Sequence, residues 1–415
     1  MIAPARPQAV SSPHVAASSR PTRAALSALA LAASLALAAC GGGGNTAATA
    51  DLAAESSTAA APAAASSAPS PSGTGVAAAE VPWNTSFHTS YQVKTESDLG
   101  LRPTALNSRG DIAGIIRRDL LVYAALWNGG QIRSSIVVRD FSPCYGGLSC
   151  SIPDVPLVDE QRRLYVSWNY RGPSGMSLWR DGANTLESLN ACVQVHGISD
   201  AGDVLCTQAS GLNRSGLWNL QTMQPMLLSG EETAMNRAGT RAGVASTDDW
   251  HESTPTHHLF RVKGGDATVS EWLHGYTSVT VTHINAQDVV IGQRALPTDN
   301  GPYNSFDPSR TRPFVWKPGS EPETLPCPED YGVANDIQSD GTIVGACLVS
   351  NGDSFTSMAV LWKDGQLVDL GPHAGAAGWI LSSAGAVNDL GWMLAYGHPK
   401  GSDAADEPVV LMPQP

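Results

Sequence analysis

Two stretches of this 415-residue chain gather side chains that could do chemistry. The first, STDDWHESTPTHH, holds Asp248, Asp249, Trp250, His251, Glu252, His257 and His258. Carboxylates and imidazoles this close suit a divalent cation or a polar ligand, although most such stretches are simply solvated loops. The second, RALPTDNGPYNSFDPSRTR, holds Asp299, Tyr303, Asp307, Arg310 and Arg312. Neither stretch matches a known catalytic arrangement. His251-Glu252 runs into Pro255, so the second His of a helix-borne zinc motif is missing. The chain has no Gly-x-Ser-x-Gly elbow and no phosphate-cradling Gly-rich loop. No catalytic residue, metal or cofactor is assigned, and both stretches are read as candidate ligand-binding loops.

Loops of this kind need a rigid scaffold to position them, and the scaffold is legible as a repeat. One phrase recurs: an Asn or Ser after an apolar residue, Gly three residues on, an apolar pair, a small residue, and later an aromatic before a second turn. Examples are ALNSRGDIAG with AALWNGG, AMNRAGTRAG with HLFRVKGG, and DIQSDGTIVG with AVLWKDG. With Asn107, Glu160, Ser199, Asn236, Asn285, Gln338 and Asn388 as turn openers, the positions seven residues later are all small: Gly114, Ser167, Cys206, Gly243, Gly292, Gly345 and Ala395. The aromatic position holds Trp127, Trp179, Trp218, Phe260, Trp316 and Trp362, with Leu411 in the seventh unit. These aromatics read as packing between units rather than as sugar platforms. Trp250, in a polar stretch outside the repeat position, reads as a surface aromatic.

Asn or Ser with Gly three residues on makes a tight reversal, because the short polar side chain caps the turn and Gly accepts positive φ. Short apolar or alternating flanks such as VTVTHIN and DVVIG read as paired strands. Four antiparallel strands per unit predict an all-β fold, a β-propeller of about seven blades. The phrases resemble the HAF-family extracellular repeats, INxxGxVVG and AFLWxxG, over roughly residues 101 to 415. That resemblance implies an extracellular location and no particular activity. The strand order is also similar to WD40 repeats, without their Gly-His and Trp-Asp signatures.

Residues 1–39 read as a signal peptide: Arg6, Arg20 and Arg23 precede an uncharged Ala/Leu stretch from Ala24 to Ala39, too short for an ordinary transmembrane helix. Leu37-Ala38-Ala39-Cys40 resembles the lipobox of bacterial lipoproteins. The resemblance implies that Cys40 becomes an acylated N-terminus, a membrane anchor. Gly41, where an inner-membrane lipoprotein would carry Asp, points to the outer membrane of a Gram-negative bacterium, on its periplasmic or outer face. Residues 40–81, after Cys40 almost entirely Gly, Ala, Ser, Thr and Pro, read as a disordered tether, and 82–415 as the propeller. Losing the leader removes three positive charges from a net −13. So acidic a chain lacks the cationic footprint of nucleic-acid binding.

Six Cys remain in an exported chain, which suggests disulfides. Hairpin geometry predicts Cys192–Cys206 and Cys327–Cys347, and Cys144–Cys150 is expected as the third pair. The seventh unit runs out after PVVLM and lacks a fourth strand, whereas SFHTSYQVKT, residues 86 to 95, has no partner in the first unit. The two are expected to pair and close the ring. The resulting expectation is a membrane-anchored binding or interaction module for a protein or glycan. The alternative is a propeller-type glycan hydrolase or lyase with carboxylates in the top-face cleft.

Overall fold

The computed structural model describes residues 90–414 except 120, 141–155, 169–174, 190–191, 209–214, 222–223, 228–231, 248–255, 271–272, 274–275, 277, 296–310, 353 and 374–377. The described residues form 28 strands and one single-turn helix, Glu96–Leu99. The architecture is an all-β propeller: five separate four-stranded antiparallel sheets and one sheet of eight strands. The eight-stranded sheet holds units three and four, whose four-strand halves meet through one parallel pairing, Gly197 with Met235. About seven four-stranded blades were expected, and at this junction two of the seven four-stranded units join into one sheet. The cause is Gly197: a Cβ there would lie 2.3 Å from the Met235 carbonyl oxygen, so only glycine lets the strands approach this closely.

In units one to six the first strand lies innermost and the next three follow outward in chain order, and unit seven sets three strands in the same order. The Asn-x-x-Gly turn has the predicted chemistry. In unit one Asn107 Oδ1 accepts the Arg109 and Asp111 N–H groups at 3.0 and 2.9 Å, and Gly110 turns at φ 77°. The same bonds recur at Asn285 and Asn388. Unit two corrects the sequence register by one residue. Its opener is Asp159 rather than Glu160, since Asp159 Oδ1 accepts from Gln161 and Arg163. Arg162 takes the positive φ, 61°, where five units have Gly and unit five has Asp288 at 60°.

A feature invisible to periodicity explains the small residue seven positions on. In six units the first strand carries a β-bulge opposite that residue, as where Pro103 and Ala105 face Gly114 and Ala113. The bulge presses the inner backbone outward. A Cβ on Gly292 would lie 2.0 Å from the Thr280 carbonyl oxygen, and one on Gly345 the same distance from that of Val333. The bulged residue turns its side chain towards the next unit. Thr104, Thr233 and Thr282 donate their hydroxyls to the carbonyls of Pro156, Val281 and Ala334 at 2.8, 2.9 and 2.8 Å, and Asn335 donates its amide to that of Ala384 at 2.8 Å. Bulges free a residue from its own ladder, and here that residue links neighbours.

The core lies between units. Among the described residues, six buried clusters are each shared by consecutive units, as where Leu361 and Val368 of unit six pack with Leu381 and Ala395 of unit seven. Trp179, Trp316 and Trp362 are each 1% exposed, as expected of packing aromatics. Their indole N–H groups donate to the carbonyls of Ala183, Ser320 and Pro326.

The ring closes as expected. Tyr91–Lys94 forms the outer strand of unit seven, pairing antiparallel with Glu407–Pro413 so that Tyr91 faces Pro413 and Val93 faces Leu411. Cys192–Cys206 and Cys327–Cys347 are disulfide-bonded, each with Cα atoms 5.6 Å apart. Cys144 and Cys150 lie outside the described residues, as do Cys40, the leader and the tether.

Candidate functional site

The seven first turns gather at one end of the ring and enclose a cavity of about 240 Å³. Every unit contributes its opener and the residue after it, among them Ser108, Glu160, Asp200, Arg237, Ser339 and Asp389. The openers themselves form a hydrogen-bonded belt. Asn107 donates its amide to the Asp159 carbonyl, Asn236 to that of Asn285, Asn285 to that of Gln338, and Asn388 to that of Asn107, at 2.8 to 3.0 Å. Asp159 has no amide to donate and Ser199 is too short to reach, while at Gln338 the junction is made instead by Ser339, whose N–H and hydroxyl donate to Asp389. Between units three and four a backbone bond from Asp200 N–H to the Arg237 carbonyl, 2.8 Å, stands in.

The cavity is rich in carboxylates, and most are occupied. Glu160 accepts from the Ser108 N–H and hydroxyl at 2.8 and 2.7 Å and ion-pairs Arg237. Asp389 accepts the Ser339 hydroxyl at 2.6 Å. Asp159 is held by Arg163 and by the Tyr165 hydroxyl, whose pKa rises through burial and the adjoining carboxylate. Asp336, 8% exposed, accepts the Ile337 and Val387 N–H groups at 2.8 Å each. His283 stands beside it, Nδ1 to Oδ1 3.3 Å, with its ring half-exposed to the cavity. Among the described residues no three His, Cys, Asp or Glu side chains converge as a metal site would require. No helix among them is long and apolar enough to cross a membrane.

The residues singled out by sequence lie elsewhere. Asp248, Asp249, Trp250, His251 and Glu252, with Asp299, Tyr303, Asp307 and Arg310, fall outside the described residues. The strands that carry these segments end at the pairs Thr247–Thr256 and Ala295–Thr311, the end of the ring opposite the turn-lined cavity. His257 and His258 are not loop residues: both belong to the strand Thr256–Lys263. Neighbours in a strand point to opposite faces, so these two imidazoles cannot ligate one ion together. His258 donates from Nδ1 to the Ser270 carbonyl at 3.1 Å, and His257 is buried.

Sequence reading passed over Arg294 and Tyr276, which the strands bring to the root of the second stretch. Arg294 sits directly across the ladder from Arg312, with its guanidinium 4.8 Å from the Tyr276 ring centroid. Nothing in their spacing announces the cluster, since Tyr276 precedes the first strand of unit five and the two Arg flank residues 296–310.

No protein-family model matches the chain, and no curated protein matches it. Solved structures do. The β-propeller domain of the Trilobed protease from Pyrococcus furiosus, described as having an open velcro topology, is 7% identical, with a TM-score of 0.48 over 77% of this chain and 97% of that one. An acylaminoacyl peptidase of Pyrococcus horikoshii is 10% identical, TM-score 0.43, over 62% of this chain and 45% of the other. Dipeptidyl peptidase 4 of Porphyromonas gingivalis is 9% identical, TM-score 0.41, over 71% and 50%. The chain thus spans about half the length of those two peptidases.

Proposed function

We propose that the protein is a lipid-anchored, extracytoplasmic binding module, held at the outer membrane through Cys40 and a tether and presenting a rigid propeller to a glycan or protein ligand. The observation that carries this reading is the use made of the cavity carboxylates. Glu160, Asp159, Asp336 and Asp389 are engaged in holding turns and units together, whereas a glycosidase keeps two carboxyl groups free to face one bond. The two disulfides suit an oxidising compartment, as do the lipobox-like leader and the resemblance to HAF repeats.

Affinity electrophoresis through gels containing envelope polysaccharides, beside co-purification from the cell's own envelope, tests the reading. Retarded migration, or a partner recovered in stoichiometric amount, is expected. Unretarded migration throughout, with no stoichiometric partner, removes it. The alternative, a hydrolase or lyase, draws on one observation: the His283–Asp336 pair opens onto the cavity.

A further inference from the structure

A buried cation lacks the anion that its position demands. Arg294 is 8% exposed, and among the described residues no carboxylate pairs with it. Its Nη2 donates to the Thr324 hydroxyl, its plane lies over Tyr276, and its Nε–H has no acceptor. Directly across the ladder stands a second guanidinium, Arg312, whose Nε–H is likewise buried without an acceptor. Among the described residues Arg312 reaches one acid, the exposed Asp330, at 3.6 Å. Like charges directly opposite on a sheet are destabilising, and an unsatisfied buried donor costs about 1–3 kcal/mol, more when charged. Burial, with Arg312 adding to it, already pushes the Arg294 pKa down.

We infer that Arg294 and Arg312 form a binding site for an oxyanion, a carboxylate or a phosphate, at the root of the segment 296–310. Two forked donors set side by side match the two oxygens of such a group. Tyr276 fixes the plane of one fork and Thr324 ties down one of its arms, and the Nε–H without an acceptor is left to donate to a ligand. The site names a chemical class for the binding reading and rests on it only in treating the anion as a captured ligand.

The test is calorimetric titration of the full chain with three probes: glucuronate, inorganic phosphate and glucose. Saturable binding of glucuronate, phosphate or both is expected, with none for glucose, and the pattern tells a carboxylate site from a phosphate site. Arg294→Gln and, separately, Arg312→Gln should each weaken the anion by about 10- to 100-fold, the loss of one charge-assisted hydrogen bond. Arg294→Lys should recover part of it. Two outcomes overturn the inference: no anion binding by the wild type, or affinity unchanged in whichever Gln variant keeps both disulfides and the wild-type circular dichroism. Binding that appears only in Asp299→Asn or Asp307→Asn also overturns it, by assigning the counter-charge to the chain itself. Retarded migration in a neutral polysaccharide with no anion binding would sink this site and leave the binding module standing.

Discussion

Asn388 donates its side-chain amide to the backbone carbonyl of Asn107, 281 residues earlier in the chain, at 2.8 Å. The same side chain accepts the Leu390 and Trp392 N–H groups through its other atom. One residue therefore shapes the seventh turn and joins it to the first. Asn388→Ala should cost about 2–3 kcal/mol in urea unfolding, combining a lost cap with buried groups left unpaired. Asn388→Asp keeps the acceptors of the turn but sets an oxygen against the Asn107 carbonyl, so it should recover little. Recovery to wild-type stability would show that only the cap matters.

The second tie between the chain ends is the strand Tyr91–Lys94. Without it the Glu407–Pro413 strand becomes an unpaired edge beside the core residues Val409 and Leu411, a surface that templates aggregation. Deleting residues 82–95 should lower the melting temperature by far more than deleting 41–81. Equal effects of the two deletions would contradict the closure.

Tyr91 also makes that tie sensitive to alkali. Burial pushes its pKa up to about 12, against about 10 in an unfolded chain. Between those values the native state holds the extra proton, so stability must fall as pH rises. The contribution is complete below about pH 10 and is lost by about pH 12, amounting to about 3 kcal/mol. Tyr165 and Tyr396 are raised by burial as well. Tyr91→Phe should therefore reduce the slope of stability against pH in this window without abolishing it. An unchanged slope would place the Tyr91 hydroxyl in solvent.

The disulfides close short segments, 14 residues apart for Cys192–Cys206 and 20 for Cys327–Cys347. Each should contribute about 3 kcal/mol by restricting the unfolded chain. Peptide mapping without reduction should recover both pairs, and we propose Cys144–Cys150 as the third. A peptide linking Cys206 to Cys347 would refute the scheme.

Much of the fold was legible because each unit repeats the same local chemistry. Asn107 and Gly110 announce a turn, the apolar pair Ile112–Ala113 a strand, and Trp127 the packing between units. The closing strand followed from counting edges. Unit two was misaligned by one because both Asp159 and Glu160 suit a turn opening, and only backbone hydrogen bonds tell them apart. The bulges were hidden, since a single extra residue leaves no mark on a period-two pattern, and with them the role of Thr104 and Thr282. The candidate site was the least legible. Sequence density drew attention to His257 and His258, which a strand sends to opposite faces. Arg294 and Tyr276 look ordinary until the ladder sets Arg294 against Arg312.

We propose that the ring binds and does not cut, and product formation tests this most directly. Purified protein incubated with each polysaccharide that retards it should release neither reducing ends nor unsaturated products, over times long enough for thousands of turnovers by an ordinary glycosidase. Release that disappears in Asp336→Asn or Glu160→Gln, with folding intact, would contradict the account and make the turn-lined cavity an active site.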